Sequence, residues 1–258
     1  RANDLIYEVD GTSTYGLSLT ETVSLIKGEE GTEVSLTLVR SGESMEVTLT
    51  RRKVESPTVE SKMLDENRAY IRITEFDDVT VNQFADALAT MRGSGMKGLI
   101  LDLRGNPGGS LDAVVDIARM MLPEGLVVYT EDKEGKRTEY DCDGAHELEV
   151  PLAVLVDMNS ASASEILSGA IKDYGIGTLV GTTTFGKGIV QQIMPFRDGS
   201  AIKLTISAYY TPNGNNIHGI GIEPDVLCEF DGEAYYGSEE HPDNQLEKAK
   251  EVLAELMK

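Results

Sequence analysis

The sequence has few of the residues from which several common kinds of active site are built. It contains no tryptophan, two cysteines (Cys142 and Cys228) and three histidines among 258 residues. The cysteines form no CxxC pair, and none of His146, His218 and His241 belongs to an HExxH motif. These absences argue against zinc ribbons, thioredoxin-like redox sites and zinc proteases of the HExxH type. They predict a protein that needs no metal and no cofactor.

Basic charge is also scarce. Lysine and arginine number 23 against 44 aspartates and glutamates, for a formal net charge of −21. Nucleic acids and anionic membrane surfaces are therefore not expected as partners. The acidity favours solubility, or else a preference for basic substrates.

Long apolar runs and a leader segment are missing as well. No stretch of 18 apolar residues occurs, so none of the chain is expected to cross a membrane. No signal peptide precedes the first strand-like segment, which begins almost directly after Arg1. We expect a fragment of a longer protein whose targeting segment lies upstream.

Residues 1–53 show the pattern of a small first domain. Leu5–Val9 indicates a strand, Ser18–Lys27 an amphipathic helix, and Glu33–Val39 with Ser44–Thr50 a hairpin. This order resembles the second half of a PDZ domain without its front strand and carboxylate-binding loop. Residues 1–53 are thus predicted to be a partial PDZ-like domain, and residues 54–65 a connection.

From Ala69 onward, apolar segments with strand and helix periodicity alternate, which predicts an α/β core. Residues 54–258 form this second domain. The predicted strands are Ala69–Ile73, Gly98–Leu103, Leu126–Thr130, Leu152–Asp157, Thr178–Gly181, Ile189–Pro195 and Ala201–Ala208, and the predicted helices are Asn82–Met91, Leu111–Met121, Ser162–Tyr174 and Asn244–Met257.

Three stretches carry candidate chemistry. In residues 157–166 a buried strand ends in small residues, and a helix starts at Ser162, where unpaired N–H groups could stabilise an oxyanion. The alternative there is a serine that only caps the helix. Lys187 lies between two glycines, which would let it turn inward and act as a base if desolvated; a solvated loop lysine is the alternative.

The third stretch is the glycine-rich turn Leu103–Gly109 between a strand and a helix. A phosphate-binding loop would look similar, but the Gly-Lys-Ser/Thr ending and the GxGxxG spacing are both missing. A backbone N–H directed at a substrate carbonyl explains the turn without phosphate.

Together these stretches resemble the carboxyl-terminal processing (tail-specific) serine proteases. The resemblance rests on the segments Ser160–Glu165, Phe185–Gly188, Leu103–Gly109, Tyr209–Pro212 and Gly219–Asp225, which occur in the family's order. It implies a ClpP/crotonase-like core of mixed sheets and helices. It also implies a serine endopeptidase acting near protein carboxyl termini.

The resemblance assigns the site residues. The family's nucleophile falls on Ser162, its general base on Lys187, and the glutamine that orients the amine on Gln191. The oxyanion donors would be the backbone N–H groups of Gly108 and Ala163. Such Ser–Lys pairs replace the Ser–His–Asp triad on several folds.

The family also implies a setting. Its substrates are protein or peptide chains, above all unstructured carboxyl-terminal segments, and the protein is expected outside the cytoplasm of a bacterium. The resemblance leaves open a homo-oligomer and a membrane anchor outside this chain. Ala208 and Asn215 depart from the family's basic residues near the Tyr-Tyr-Thr-Pro motif, which bears on substrate preference.

Three other functions remain to be weighed. A non-catalytic ligand-binding relative could share the fold, but it could dispense with Ser162 or Lys187, and both are present. An acyl-CoA enzyme of the crotonase type would need a carboxylate acid–base pair and adenine contacts, for which the sequence has no clear signal. A purely scaffolding PDZ module does not account for the large second domain.

Overall fold

A computed structural model describes residues 4–53 and 56–258 of the chain. Within it, the chain divides into two compact units, one ending at Ser56 and the other running from Pro57 to Lys258. Residues 54 and 55 belong to the predicted connection, and that part of the prediction lies outside the described residues.

The first unit is a four-stranded antiparallel sheet with one helix. Its elements are β1 (Leu5–Val9), β2 (Thr12–Ser13), α1 (Leu19–Ile26), β3 (Glu33–Arg40) and β4 (Glu43–Thr50), and the strand order is β2-β1-β3-β4. Helix α1 begins where Ser18 and Glu21 cap each other's backbone N–H groups. The predicted strand, helix and hairpin are all present; the likeness to a PDZ domain stays a prediction.

The second unit has two sheets and five helices among its described residues. Its elements are β5 (Val59–Met63), β6 (Arg68–Ile73), α2 (Asp78–Gly93), β7 (Gly98–Asp102), α3 (Leu111–Ala118), β8 (Gly125–Asp132), β9 (Arg137–Cys142), β10 (Leu152–Val156), α4 (Ala163–Tyr174), β11 (Gly177–Gly181), β12 (Ile189–Pro195), β13 (Ala201–Tyr210), β14 (Val226–Leu227), α5 (Gly232–Gly237) and α6 (Asn244–Leu256). The mixed α/β class predicted from the sequence is confirmed.

A six-stranded sheet in the order β14-β11-β10-β7-β6-β5 forms the centre of this unit. All neighbours are parallel except β5, which pairs antiparallel with β6. Every residue of β7 and β10 is buried, as expected for parallel strands covered on both faces. Helices α2, α3 and α4 contribute to the core on one face, and α6 packs on the other.

A second sheet in the order β12-β13-β8-β9 is antiparallel throughout. Strands β12 and β13 form a long hairpin, and residues 191–206 along it are exposed. Because β12 lies at the edge of this sheet, one side of the hairpin faces solvent. The inner end of the hairpin leads into the site described below.

Two sequence predictions need correction. Residues 59–63 form edge strand β5 instead of part of a connection; only Val59 and Met63 are partly buried, so the apolar alternation is weak. Helix α2 begins at Asp78, four residues before the predicted start, because Asp77 caps it with Thr80. Helix α5 and the short strand β14 were not predicted.

Candidate active site

One cleft of about 400 Å³ brings together most of the predicted site residues. Ser162, Ala163, Lys187 and Gln191 all line it. The glycine-rich turn follows β7 and the serine-containing turn follows β10, and these two strands are parallel neighbours. Because the carboxyl ends of neighbouring parallel strands meet at one edge of a sheet, the two turns lie side by side.

Ser162 has an unusual backbone conformation. Its φ is 56° and its ψ is −113° at the junction between β10 and α4, and the residue is half-buried. A non-glycine residue rarely has positive φ, and such a conformation persists only where its surroundings hold it. The turn thereby displays a serine at the start of a helix, where backbone N–H groups are unpaired.

Glu165 holds this turn in place. Its side chain is fully buried and accepts four hydrogen bonds. One oxygen accepts from the Ser162 N–H at 2.8 Å and the Lys187 N–H at 2.9 Å. The other accepts from the Thr184 hydroxyl at 2.6 Å and the Gly186 N–H at 2.7 Å. One carboxylate therefore binds the main chains of both predicted catalytic residues.

This clamp uses the Lys187 backbone and leaves its amine free. Glu165 makes no ion pair in the described ranges 4–53 and 56–258, and the Lys187 amine makes no hydrogen bond there. The buried carboxylate is stabilised by its four donors, as a buried charge must be. The lysine side chain is thus available to the cleft.

Close packing explains the two glycines around Lys187. A Cβ atom at Gly186 would lie 2.8 Å from the Gly221 nitrogen, and one at Gly188 would lie 2.7 Å from the His218 nitrogen. Residues without Cβ atoms let this segment approach residues 218–221 closely. The prediction that the glycines allow a close approach is consistent with this packing.

Tyr209 also links the main chains of Ser162 and Lys187. Its buried hydroxyl contacts the carbonyl oxygens of Ser162, at 3.1 Å, and of Lys187. Burial, together with the nearby Glu165 carboxylate, raises the pKa of Tyr209, so its hydroxyl stays protonated and can donate. Strand β13 is thereby joined to both halves of the predicted pair.

The glycine-rich turn packs directly onto the serine turn. A Cβ at Gly108, where φ is 101°, would lie 2.7 Å from the Ser162 Cβ. Asn106 is fully buried; its side-chain amide donates to the Ile73 carbonyl, and its own carbonyl accepts from the Ala161 N–H. These contacts fix the turn against the strand-to-helix junction.

The structure places the Gly108 N–H differently from the expectation. It donates to the Asn106 side-chain oxygen at 2.8 Å, and Gly108 is buried. In this conformation the group is engaged and is not presented to the cleft. Within the described part of the chain, the N–H groups of Gly109 and Ala163 have no acceptor, and both residues line the cleft.

The predicted dyad shares the cleft but is not hydrogen-bonded in this state. Across the described residues, no hydrogen bond joins the Ser162 hydroxyl to the Lys187 amine, and the Gln191 amide makes none. Catalytic hydrogen bonds are often long without substrate and shorten when it binds. Gln191 lies on exposed β12, four residues beyond Lys187.

Sequence reasoning missed Glu165, Asn106 and Tyr209 as residues that build the site. Glu165 had a signal, since a serine followed three residues later by glutamate at a helix start is a capping-box pattern. Asn106 and Tyr209 lie in quoted motifs, but their roles depend on contacts 33 and 47 residues away in sequence.

Among the residues that the structure describes, no group of three or more histidine, cysteine, aspartate or glutamate side chains could hold a metal ion. No helix there has both the length and the apolar character needed to cross a membrane. Both cysteines are free thiols.

Comparison with known proteins decides the family. The model of peptidase family S41 matches residues 67–228. The chain belongs to peptidase family S41. It is 41% identical over 234 residues to the carboxyl-terminal-processing protease of Synechocystis, covering 88% of this chain and 55% of that protein. It is 36% identical over 232 residues to carboxy-terminal processing protease CtpA of Bacillus subtilis, covering 89% and 50%.

A solved protease structure is similar to this S41 chain along most of its length. The photosystem II D1 C-terminal processing protease is 35% identical, with a TM-score of 0.62, covering 89% of this chain and 64% of that one. The expected protease-type core is confirmed. This S41 chain spans about half the length of the curated relatives it matches.

Proposed function

We propose that this S41 protein is a serine endopeptidase that cleaves protein chains near their carboxyl termini through Ser162 and Lys187. The main support is the buried Glu165 clamp, which ties the backbones of both residues to one carboxylate while leaving the serine hydroxyl and lysine amine free. The names of the relatives support the substrate class.

The chemistry follows from the side chains that line the cleft. Neutral Lys187 accepts the Ser162 hydroxyl proton as the serine oxygen attacks the scissile carbonyl carbon. The tetrahedral intermediate then collapses, and the departing amine takes the proton from the lysine ammonium. A water molecule, deprotonated by the Lys187 amine, then attacks the ester carbonyl. The ester breaks, the proton returns to the serine oxygen, and Ser162 is regenerated. We assign to Gln191, which also lines the cleft, the role of orienting the lysine amine.

The oxyanion of the intermediate needs preorganised N–H donors. Ala163 supplies one at the start of α4. The second is the N–H of Gly109, since that of Gly108 is engaged by Asn106. If substrate binding rotates the peptide group before Gly108, the Gly108 N–H would become a third donor to the oxyanion, beside those of Ala163 and Gly109.

The decisive test is cleavage of an unstructured protein with the products mapped by mass spectrometry. Wild type should release fragments from the carboxyl end, while Ser162→Ala and Lys187→Ala should each lose activity by roughly 10⁴- to 10⁶-fold. Each variant should bind substrate and melt like wild type. Retained hydrolysis in purified Ser162→Ala would contradict the assignment.

We also propose a location outside the cytoplasm, the setting that the resemblance in the sequence implies. Fractionation of cells that make the full-length protein, with a cytoplasmic enzyme as control, tests this. Recovery with the cytoplasmic marker would exclude it. Labelling of Ser162 by a fluorophosphonate distinguishes the enzyme from a non-catalytic relative.

A further inference from the structure

A second cleft lies at the carboxyl ends of the parallel strands, apart from the active site. This rear cleft runs from Arg72 on β6 to Glu229 after β14, and α5 borders it. Its volume is about 490 Å³, and it shares no lining residue with the active-site cleft. Asp243 and Gln245 line it from the start of α6, on the opposite face of the sheet from α3 and α4. Ligands of α/β proteins commonly bind at this edge of a sheet.

One arginine of the rear cleft has no partner. The Nε atom of Arg72 is buried and has no hydrogen-bond acceptor among the described residues, and the guanidinium makes no ion pair there. Its neighbour in register is Asp102, whose carboxylate already accepts from Tyr70 and Arg104. Because an unbonded buried N–H costs free energy, a ligand oxygen that accepts from Arg72 would be bound favourably.

Other polar groups in the lining are free as well. The Glu229 carboxylate and the hydroxyls of Thr182 and Tyr236 make no hydrogen bond within the part of the chain that the structure describes. An arginine only donates, an ionised carboxylate only accepts, and a hydroxyl does both. A ligand that uses all of these groups must therefore both donate and accept hydrogen bonds.

Three aromatic rings border the same cleft. Phe230 is 41% exposed and Tyr236 is 78% exposed. The ring of Tyr235 lies between them, with centroid distances of 5.3 Å to Phe230 and 5.1 Å to Tyr236. Exposed rings beside unpaired polar groups suit a ligand whose own rings have apolar faces and polar edges.

The charges of the rear cleft argue against an ionic ligand. Two arginines and four carboxylates line it, and Arg104 is paired with Asp102 and Asp243. An anion bound to Arg72 would lie among an excess of negative charges, and a cation bound to Glu229 would share the cleft with an unpaired arginine. A neutral ligand with many hydroxyl groups meets neither penalty.

We propose that the rear cleft binds a neutral oligosaccharide. Its oxygens accept from Arg72, its hydroxyls donate to Glu229, and one sugar ring stacks on Tyr236. Strands β6 and β14, at the two ends of the cleft, lie four places apart in the sheet. At about 4.8 Å per strand this separation is about 19 Å, which suits a chain of several rings instead of a single sugar. The site goes beyond the proposed peptidase activity and does not depend on it.

The test is isothermal titration calorimetry with three neutral tetrasaccharides: chitotetraose, cellotetraose and maltotetraose. Inorganic phosphate and spermidine serve as the anionic and cationic probes. The variants are Arg72→Met, Tyr236→Ala and Glu229→Gln, and Tm is measured for each. The matched controls are Arg197→Met and Tyr15→Ala, because both side chains are exposed and neither lines the rear cleft.

At least one tetrasaccharide should bind in the millimolar range or more tightly, with an affinity that added salt changes by less than about twofold. Arg72→Met should weaken binding at least about tenfold, since it removes hydrogen bonds from a charged donor. Tyr236→Ala should weaken it about three- to tenfold through the lost apolar contact of one ring face. Glu229→Gln keeps an acceptor and should stay within about twofold, and both controls should bind like wild type.

The proposal is overturned if none of the three tetrasaccharides binds, or if Arg72→Met and Tyr236→Ala both bind like wild type. Phosphate binding that is lost in Arg72→Met, or spermidine binding that is lost in Glu229→Gln, would assign the cleft to a charged ligand and overturn it too. If Arg72→Met does not fold, the exposed Tyr236→Ala change decides the test. Binding is measured without turnover, so a protein that cleaves no peptide would refute the proposed function and leave this result unchanged.

Discussion

Replacing Glu165 with glutamine should slow catalysis far more than it weakens substrate binding. The buried carboxylate accepts four hydrogen bonds, and three of the donors are backbone N–H groups that cannot turn away. A glutamine has one acceptor oxygen, and its NH₂ group must face two of these donors. The Thr184 hydroxyl can rotate to accept, so the best arrangement turns the NH₂ group toward Thr184 and Gly186.

The magnitude follows from what is left unpaired. The Gly186 N–H loses its acceptor, which costs about 1–3 kcal/mol for a buried donor. For a chain of this size, that corresponds to a fall in Tm of about 2–10 °C. Gly186 precedes Lys187 directly, and a shift of about 1 Å in a catalytic group can lower kcat about 100-fold. We expect kcat to fall about 10- to 100-fold, with KM within about twofold.

The assay is steady-state hydrolysis of a peptide with Tm measured on the same samples. Leu253→Ala is the control, because Leu253 is fully buried on α6 at the opposite face of the sheet. It should lower stability by about 2–5 kcal/mol and leave kcat near wild type below the melting range. The reasoning is refuted if Glu165→Gln keeps wild-type kcat, or if Leu253→Ala loses kcat to the same extent.

Three further outcomes are expected. Ser160→Ala and Ser164→Ala should affect rate much less than Ser162→Ala but lower Tm, because their buried hydroxyls donate to backbone carbonyls; loss of turnover in the folded variants would contradict this. Activity should survive EDTA; inhibition reversed by zinc would contradict this. Burial raises the pKa of Asp243, but hydrogen bonds from Arg104 outweigh this effect and leave the pKa lowered. The Asp243 carboxylate therefore stabilises the fold above about pH 4 and contributes less as the pH falls below that value. Chemical denaturation of Asp243→Asn should show a stability deficit that shrinks in acid, and a deficit that stays constant with pH would contradict this role of the carboxylate.

Local patterns in the sequence were sufficient to predict the α/β class and most elements of the second unit. Apolar runs such as Leu152–Val156 form strands because both faces are buried, and that pattern can be read along the chain without knowing its partners. Edge strand β5 was missed for the complementary reason, since a half-exposed strand with two apolar residues carries little periodic signal.

The same patterns brought Ser162 and Lys187 forward as candidates, since each lies in a turn of small residues between regular elements. Only the tertiary structure decided how the two are held. The Glu165 clamp and the Tyr209 bridge join segments that are far apart in sequence. The hydrogen bond from the Gly108 N–H to Asn106 leaves the neighbouring Gly109 N–H as the one without an acceptor among the described residues. Whether such hydrogen bonds form depends on differences of a few tenths of an ångström in the distance between donor and acceptor, and the spacing of residues along the chain does not encode these differences.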